Sequence, residues 1–453
     1  MIVFWKKPLS EGVHMKDISQ DHREFLRKTY LFPTKIPLHA KPMQLSKGKG
    51  LRVWDLKGEE YLDALGGVVS ISVGHNHPKI KERILDMANN DEVQHTTSLF
   101  LSLYMEELAE KLAHIAPGSL KRSYITNSGS EANEMAIMTA RVHTGEQMFV
   151  ALRHGYHGGT GVPMGFCGHS NWRFKNQPVS SVTHAPAPYC YRCPFGAQPQ
   201  SCNLECAHDI KNIIETSTNG GIAGFIMEPI LGVGGFIDPP LEYHKVAYDH
   251  VKEFGGLFIA DEVQTGVGRT GDNFFAIEDS RVIPDMITMA KGLGNGAPIG
   301  AVITTDKISD SLKGKMHFNT FGGDPYQSMQ AGTVIDIIKE ENLIENAKQI
   351  GKFIKEGLQD LQKDFPLIGD VRGRGLMLGL ELVQDRKTKT PAPTQTRQLI
   401  DACKDARLLV GKGGLYGNVI RIAPPLNIDR SEAKELLEKL QIALLSLSKQ
   451  SSV

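Results

Sequence analysis

Short apolar runs alternate with helical stretches along the middle of the chain, from residue 123 to about residue 305. This alternation is typical of a mostly parallel β-sheet covered by helices, because parallel strands need crossover connections long enough to contain a helix. The sequence therefore predicts an α/β fold with a mostly parallel central sheet. The runs that predict its strands are "RSYITNSG", "QMFVAL", "GFIMEPI", "GGLFIADEV", "DMITMAKG" and "GAVITT".

The flanking segments predict a hairpin and several helices. "LRVWDLKGEEYLDAL" (51–65) alternates apolar and polar residues around Lys57 and Gly58, which indicates a β-hairpin. "PKIKERILDMANN" and "SLYMEELAEKLAHIA" have helical periodicity. After residue 330 we predict one long helix, two strand candidates and a final helix: "AGTVIDIIKEENLIENAKQIGKFIKEGLQDLQ", "GDVRGRGLMLGLELV", "NVIRIAPPL" and "RSEAKELLEKLQIALLSLSK".

These elements divide the chain of 453 residues into a large domain and a small one. We predict that residues 65–330 form the large, ligand-binding domain. Residues 331–453 are expected to form a smaller α+β domain, and residues 1–64 an N-terminal segment that joins it.

Composition restricts the possible partners. Basic and acidic residues number 51 each, so nothing predicts binding to nucleic acid. No apolar run is long enough to span a membrane; the nearest, residues 220–237, contains Glu228 and Pro229. The N-terminal "MIVFWKKPLSEGVHMKD" has no cleavage-site pattern, so we expect no secretory signal and a cytoplasmic protein, with Met15 as a second candidate start.

Four of the six cysteines cluster in "CYRCPFGAQPQSCNLEC". The spacing of Cys190, Cys193, Cys202 and Cys206 would permit a structural zinc site, but it also suits a loop of reduced thiols or a loop disulfide. A closed four-cysteine site leaves no position for catalysis, so we predict no catalytic metal.

Polar groups follow three of the predicted strands, where ligands bind in open α/β sheets. Residues 127–130 lead into a helix N-terminus, which suits a phosphate, although a serine-rich N-cap is also an ordinary structural feature. Asp261 and Glu262 follow the run "FIA", so one of them is expected at a buried strand end, where a carboxylate needs a positive partner.

Lys291 ends the next apolar run, in "ITMAKGLGNGAPIG" (287–300). Partial burial would lower the pKa of this lysine below its usual value of about 10.4 and free the amine to attack a carbonyl. A phosphate cradle, a buried aspartate and such a lysine meet the requirements of pyridoxal 5'-phosphate (PLP), whose aldehyde forms a Schiff base with lysine. The sequence therefore predicts PLP as the cofactor.

Longer motifs extend this interpretation over most of the chain, from roughly residue 30 to residue 445. "NSGSEAN", "YHGGT", "MEPI", "IADEVQTGVGRTG", "MAKGLGNGAPIGAV", "HFNTFGGDP" and "RIAPPL" resemble the class III (ω-amino acid) aminotransferases of PLP-dependent transferase fold type I. The last third is most similar to their alanine–glyoxylate aminotransferase 2 branch. The resemblance implies transfer of an amino group by a ping-pong mechanism.

The resemblance also implies a role for each matching residue. Lys291 would form the Schiff base and move the substrate proton, while Asp261 would keep the ring nitrogen protonated. Gln264 would bond the ring 3'-oxygen. Tyr156 would stack on the ring, and His157 would line the pocket, although either could simply pack.

Contacts to the phosphate and the substrate are implied as well. Gly129 and Ser130 would donate to the phosphate, and Thr320 would reach the phosphate of the neighbouring subunit, which implies a homodimer. Arg421 would bind the substrate carboxylate, a task that suits a planar guanidinium.

Four other polar residues have structural interpretations. Glu228 is either a satisfied structural carboxylate or a supporting residue of the site, and Arg374 is expected to be structural or at the rim. His75 and His77 have a metal-ligand spacing, but the resemblance puts their segment near the site entrance, so we expect no metal there.

Two departures from the family pattern concern the substrate. Val233 stands where members that use 2-oxoglutarate commonly have a glutamate that gates the carboxylate-binding arginine, and Gly159 stands where several have an arginine for a second carboxylate. Both departures favour a small monocarboxylate acceptor, glyoxylate or pyruvate, with alanine, β-alanine or 3-aminoisobutyrate as donor.

Two other functions remain compatible with parts of the pattern. A PLP-dependent lyase that acts on an amino-alcohol phosphate would use the same Lys291 and Asp261. A non-enzymatic protein with a zinc-stabilised loop would have no need of Lys291, Asp261 and Gln264 together, which disfavours that alternative.

Overall fold

The computed structural model describes residues 20–34, 37–175 and 181–450, so the N-terminal segment on which the signal-peptide and start-site predictions rest lies outside the described residues. Its largest sheet has seven strands, and the strand Gly300–Thr304 runs antiparallel to both of its neighbours while the other pairings are parallel. The predicted mostly parallel sheet is confirmed. In spatial order its strands are Arg122–Thr126, Gly300–Thr304, Met286–Met289, Leu257–Asp261, Gly224–Met227, Phe149–Leu152 and Val182–Ala185.

Helices cover both faces of this sheet. Along Leu257–Asp261, Phe258 and Ala260 pack into one apolar cluster, while Leu257 and Ile259 pack into another. No helix among the described residues is long and apolar enough to cross a membrane. The α-helices are Gln20–Tyr30, Pro78–Asn89, Leu103–Ile115, Gly129–Thr144, Gly161–Phe166, Glu205–Ser217, Leu241–Glu253, Asp306–Ser309, Pro325–Glu340, Leu343–Asp364, Pro393–Asp405 and Arg430–Gln450; the 3₁₀ turns are Ser170–Trp172, Cys190–Arg192, Pro199–Ser201, Ala276–Ser280, Lys291–Leu293 and Asp310–Leu312.

Two smaller sheets flank the large one. The predicted hairpin is confirmed as Arg52–Asp55 paired antiparallel with Glu60–Asp63. Leu408–Leu409 pairs parallel with Glu60–Asp63, so the N-terminal segment and the last third of the chain share a sheet. The strand Leu45–Lys49 completes that sheet; the other consists of Ile368–Arg374, Met377–Asp385, Thr390–Pro391, Val419–Ile422 and Gly411–Gly413.

The predicted division at residues 65 and 330 stays a prediction, and helix Pro325–Glu340 crosses the second boundary. Two element predictions were wrong. The single long helix is interrupted at Asn342, whose φ of 52° lies in the left-handed region. "GDVRGRGLMLGLELV" is a hairpin of two strands that turns at Gly375, where φ is 51°. The edge strand Val182–Ala185 was not predicted.

Residues Gly66–Val69 form a left-handed helical turn. All four φ angles are positive, from 56° to 71°, including those of Val68 and Val69. A β-branched residue rarely adopts this conformation, so the surrounding structure must hold it. Asp63 Oδ1 accepts the N–H groups of Leu65 and Gly66, and Val69 packs into an apolar cluster whose other members are Ile230, Phe236, Met377 and Ala423.

An ion pair links the N-terminal sheet to the C-terminal helix. Arg52 binds the Glu435 carboxylate through two nitrogens, at 2.8 and 2.6 Å, and these bonds lower the pKa of Glu435 to about 2.

We expect Arg52→Gln to lower the free energy of unfolding by about 1 kcal/mol at neutral pH, since a bidentate pair of this exposure is partly screened. The deficit, measured by thermal unfolding, should shrink as the pH falls from 4.5 towards 2, because Glu435 gains its proton there.

Lys434→Gln is the matched control for that measurement. Lys434 lies on the same helix, and its Nζ is 3.7 Å from Glu438 in an exposed pair. Its loss should change stability by less than about 0.5 kcal/mol. Equal effects of the two substitutions would contradict the structural importance of the Arg52–Glu435 pair.

Candidate functional site

Lys291 begins a 3₁₀ turn directly after the strand Met286–Met289, and its φ is 46°. Burial lowers the pKa of Lys291 to about 8, although the nearby carboxylates of Asp261 and Glu228 oppose the shift. Within the described ranges its Nζ forms no hydrogen bond. The amine is therefore free and neutral at only mildly alkaline pH.

Neighbouring side chains hold the turn that carries Lys291. Ser72 Oγ donates to the carbonyl of Gly292 at 2.6 Å, and Gln330 Nε2 donates to the carbonyl of Gly294 at 2.6 Å. Asn295 accepts the N–H of Ser72 at 2.8 Å. These bonds hold the backbone after the lysine, and the strand Met286–Met289 before it is paired with strands on both of its edges, so the attachment point of the side chain is fixed.

Asp261 lies at the end of the next strand, Leu257–Asp261, with 2% of its surface exposed. Its Oδ2 accepts from Asn133 Nδ2 at 2.8 Å and lies 2.7 Å from His157 Nδ1. The backbone N–H of Val263 donates to Oδ1 at 3.1 Å. Of the two acids that follow this strand, Asp261 is the one near Lys291, whereas Glu262 bonds Thr265 and the backbone of Ile277.

The predicted helix N-terminus is present at Gly129–Thr144. Ser128 caps the helix by accepting from the N–H of Glu131, and Ser130 Oγ accepts the N–H of Gly159 at 3.0 Å. Gly158 has a φ of 136°, and a Cβ there would lie 2.6 Å from Ser130 Oγ, so only glycine fits. The first turn of the helix is thus packed closely against the segment that follows Tyr156.

Glu228 connects two loops at the edge of the site. Its carboxylate accepts the N–H of Tyr156 at 2.9 Å and the N–H of Gly232 at 3.0 Å. Burial, reinforced by the charge of Asp261, raises the pKa of Glu228 to about 7. Tyr156 in turn packs edge-on against Trp172, with ring centroids 5.1 Å apart.

Arg421 lies on the strand Val419–Ile422 between two glycines. Gly379 and Gly411 are its cross-strand partners, so neither neighbouring strand places a side chain directly opposite the arginine. Its guanidinium lies 4.5 Å from the centre of the Phe236 ring, and Nη2 donates to Gln264 Oε1 at 2.6 Å. Burial lowers the pKa of Arg421 to about 10.

The structure thus brings together most of the predicted site residues, and it adds three that were missed. Asn133 and Thr288 bond each other at 2.6 Å beneath Asp261, and Phe236 supports Arg421. A signal was available for Thr288, which is a polar residue within the apolar run of its strand, whereas Asn133 lies between Ala132 and Glu134 and gave none.

Thr320 is exposed, and its predicted contact with a neighbouring subunit stays a prediction. The adjacent Asn319 bonds its own chain, to Asn127 at 2.8 Å and to Glu131 at 3.1 Å. The loop that carries Thr320 is therefore attached to the segment that leads into the helix N-terminus.

The other candidate residues have structural contacts. Arg374 bonds Asp238 and Asp279, His75 Nε2 lies 2.9 Å from Asp63, and His77 Nε2 lies 3.1 Å from Glu341. All six cysteines are free thiols, and within residues 20–34, 37–175 and 181–450 no group of three or more His, Cys, Asp or Glu is arranged to hold a metal ion.

The lowered pKa of Lys291 predicts its reactivity. In protein freed of any bound aldehyde, acetylation of Lys291 by acetic anhydride should rise through pH 8, because the neutral amine is the nucleophile. Mass spectrometry of peptides labelled between about pH 6 and about pH 10 would measure the profile. Lys363, whose pKa is raised by its hydrogen bond to Asp360, is the internal control; parallel profiles for the two lysines would refute the prediction.

The aminotransferase class-III sequence profile matches residues 37–444. An Arabidopsis thaliana protein named alanine–glyoxylate aminotransferase 2 homolog 2, mitochondrial, is 45% identical over 92% of this chain and 86% of its own length. A leucine/methionine racemase from Thermococcus litoralis is 38% identical over 92% of this chain and 94% of its own length.

A solved structure supports the same family assignment. An amine transaminase from an uncultivated Pseudomonas species, in its PLP-bound form, has a TM-score of 0.86 and is 30% identical, and the match covers 92% of this chain and 98% of that one. The predicted fold type I and the predicted cofactor PLP are thereby confirmed. The chain belongs to the class-III aminotransferases and is a PLP-dependent enzyme of that family.

Proposed function

We propose that this enzyme moves an amino group from alanine or a β/ω-amino acid, such as β-alanine or 3-aminoisobutyrate, to glyoxylate or pyruvate by a ping-pong mechanism. The observation that carries the proposal is the neutral partner of Arg421. Its Nη2 donates to the amide of Gln264, and in the described part of the chain no carboxylate is hydrogen-bonded to it. Glu228 acts on this guanidinium only through space, so its remaining N–H groups are available to bind one substrate carboxylate.

The polar groups of the site are suited to bind PLP. Lys291 Nζ is unbonded, and His157 Nε2 and Arg421 Nε are buried without partners among the described residues, so polar groups are available for a ligand. The helix that begins at Gly129 offers backbone N–H groups to a phosphate. When bound, PLP supplies an aldehyde that condenses with amines and a ring that stores the electron pair of a broken bond.

Each residue of the site then has a distinct task. Asp261 would accept a hydrogen bond from the ring nitrogen, and Gly129 and Ser130 would donate to the phosphate. Tyr156 would cover one face of the ring, with Trp172 behind it. The contacts described above for these residues support this assignment of tasks.

Gln264 is suited to contact both the cofactor and the substrate arginine. Its Oε1 is occupied by Arg421, which leaves Nε2 to donate to the 3'-oxygen of the ring. Gly232 packs closely against this amide, because a Cβ there would lie 2.3 Å from Nε2. The amide would thus connect the cofactor to the arginine that binds the substrate.

Lys291 would transfer the substrate proton. With a pKa of about 8, its amine accepts and returns a proton near neutral pH. Asp261 and the ionised form of Glu228 stabilise the protonated amine, which favours holding the proton at Nζ. Arg421 opposes this effect and would do so less once a substrate carboxylate neutralises it.

The residues at positions 233 and 159 support the choice of acceptor. Val233 provides no charge that could compete for Arg421, and Gly159 provides no cation for a second carboxylate; its N–H instead bonds Ser130. The name of the Arabidopsis relative is consistent with alanine as donor and glyoxylate as acceptor. That name also includes a mitochondrial location, so the expected cytoplasmic location stays a prediction.

We also propose a homodimer in which Thr320 contributes to the neighbouring active site. Large apolar side chains are exposed on the segments around residues 99–103 and 316–321, and such patches are typical of interfaces. They are Leu99, Phe100, Leu101, Leu103, Met316, Phe318 and Phe321. We propose that a second copy of the chain covers this surface.

The acceptor assignment can be tested by steady-state kinetics with alanine as the fixed donor. We expect kcat/KM for glyoxylate and pyruvate to exceed that for 2-oxoglutarate by about a hundredfold, because a second carboxylate would be buried without a partner. A preference for 2-oxoglutarate would overturn the assignment. Ammonia release without an acceptor would instead indicate a lyase, and loss of optical activity without transfer would indicate a racemase.

Two arginine variants provide the matched control for that experiment. Arg421→Gln should raise KM for the acceptor by about a hundredfold, since it removes a charge-assisted bond to a carboxylate. Arg430 also lies over a phenylalanine ring, that of Phe353 at 4.2 Å, but on the last helix. Arg430→Gln should leave KM unchanged, and a comparable rise would show that loss of an arginine–aromatic contact, rather than loss of the site, explains the result.

The dimer predicts a second effect. Thr320→Ala should weaken PLP binding by about tenfold, because one hydrogen bond to the phosphate is lost. The dissociation constant can be measured by equilibrium dialysis, with the assembly state measured by light scattering. A monomeric protein that binds PLP as tightly as a dimer would contradict the proposal.

A further inference from the structure

We propose that Asn133 is a positioning residue that fixes the orientation of the Asp261 carboxylate, and that Thr288 in turn orients Asn133. The inference rests on the proposed role of Asp261 as the partner of the ring nitrogen. The sequence motifs gave neither residue a role, although Asn133 ends "NSGSEAN".

Every polar group of the Asn133 side chain has a partner. Nδ2 donates to Asp261 Oδ2 at 2.8 Å and to the backbone carbonyl of His157 at 2.7 Å. Oδ1 accepts from Thr288 Oγ1 at 2.6 Å. Asn133 is 1% exposed and Thr288 is fully buried, so water does not compete for these bonds.

The network defines which way the amide points. An ionised carboxylate and a backbone carbonyl can only accept, so the amide end that faces Asp261 and His157 must be the NH2 group. Oδ1 then faces Thr288, whose hydroxyl supplies the hydrogen. Without that hydroxyl Oδ1 would be buried without a donor, and the amide would lose the bond that holds its plane from the other end.

An aspartate needs such restraint because its terminal torsion has a broad energy profile. Asp261 receives two donors on Oδ2, from Asn133 and from His157 Nδ1, and one on Oδ1, from the backbone of Val263. Removal of the Asn133 bond leaves the carboxylate plane less defined. A ring nitrogen would then meet an acceptor whose direction varies, and both cofactor affinity and the rate of the chemical step should fall.

The hydrogen bonds of Asn133 connect several segments of the site. It lies on the helix whose N-terminus is the proposed phosphate site, and Thr288 lies on the strand that leads to Lys291. His157 follows Tyr156 in the loop beside the site, and Asp261 ends the strand Leu257–Asp261. One amide thus connects the four segments that would hold the phosphate, the ring and the reactive lysine.

A double-mutant cycle tests the proposal, with PLP affinity measured by equilibrium dialysis in the absence of substrate. We expect Asn133→Ala to weaken PLP binding by about tenfold in the Asp261 background and by less than about twofold in the Asp261→Asn background, because its effect acts through that carboxylate. In kinetics, kcat should fall while KM for the acceptor stays within about twofold. Equal losses in both backgrounds would overturn the inference.

Substitutions of Thr288 test the proposal independently, and they remain informative if Asn133→Ala does not fold. Thr288→Val should weaken PLP binding by about threefold, and Thr288→Ser should restore it, because only the hydroxyl matters. Thr139→Val is the matched control: Thr139 is 3% exposed on the same helix, and its hydroxyl bonds the carbonyl of Met135 rather than the network. Equal effects of the two valine variants, or no rescue by serine, would refute the positioning role.

The experiment also separates this inference from the proposed function. Wild-type protein loaded with PLP and reduced with borohydride should carry a pyridoxyl group on Lys291, detectable by mass spectrometry. Absence of that adduct would reject the proposed function. Its presence, together with unchanged PLP affinity in Asn133→Ala, would reject only the role of Asn133.

Discussion

The loss of hydration at the Lys291 amine is the constraint on which the rest of the site depends. A lysine in water stays protonated at neutral pH and cannot act as a nucleophile. Burial lowers its pKa to about 8, and the carboxylates of Asp261 and Glu228 keep it from falling further. The balance matters in both directions, because an amine with too low a pKa would be a poor proton carrier.

The sheet topology brings together the groups that produce this balance. The strands that precede Asp261 and Lys291 are adjacent and parallel, so their carboxyl ends meet at one edge. The loops that contribute Tyr156 and Glu228 follow the two next strands in the sheet. Arg421 comes from a separate antiparallel sheet and closes the site from the other side. Residues far apart in sequence therefore meet because the strand order brings them together.

Much of this arrangement follows from local pattern. The apolar runs predicted six of the seven strands of the large sheet, because buried parallel strands are continuously apolar. The edge strand Val182–Ala185 was missed because it is only partly buried and contains Thr183 and His184. The break at Asn342 was missed because a left-handed residue between two amphipathic helices leaves the apolar spacing almost unchanged.

The prediction of the site residues was limited by contacts between parts of the chain that are far apart in sequence. Lys291 and Asp261 stand out because a charge at the end of an apolar run needs an explanation. Asn133 and Thr288 are neutral, and their importance lies in a contact between a helix and a strand 155 positions apart, which no local pattern encodes. The partner of Arg421 was also unforeseen, because the sequence alone gave Gln264 a contact to the cofactor and not one to arginine.

The glycines around Arg421 restrict how the specificity of this enzyme can change. A Cβ at Gly379 would lie 3.0 Å from the carbonyl of Gly235, and one at Gly413 would lie 2.7 Å from Arg421 Cδ. A larger residue at Gly413 would displace the arginine, and one at Gly379 would press on the backbone of Gly235, before either altered the space for a substrate. Evolution or engineering towards bulkier acceptors is therefore restricted at these two strand positions.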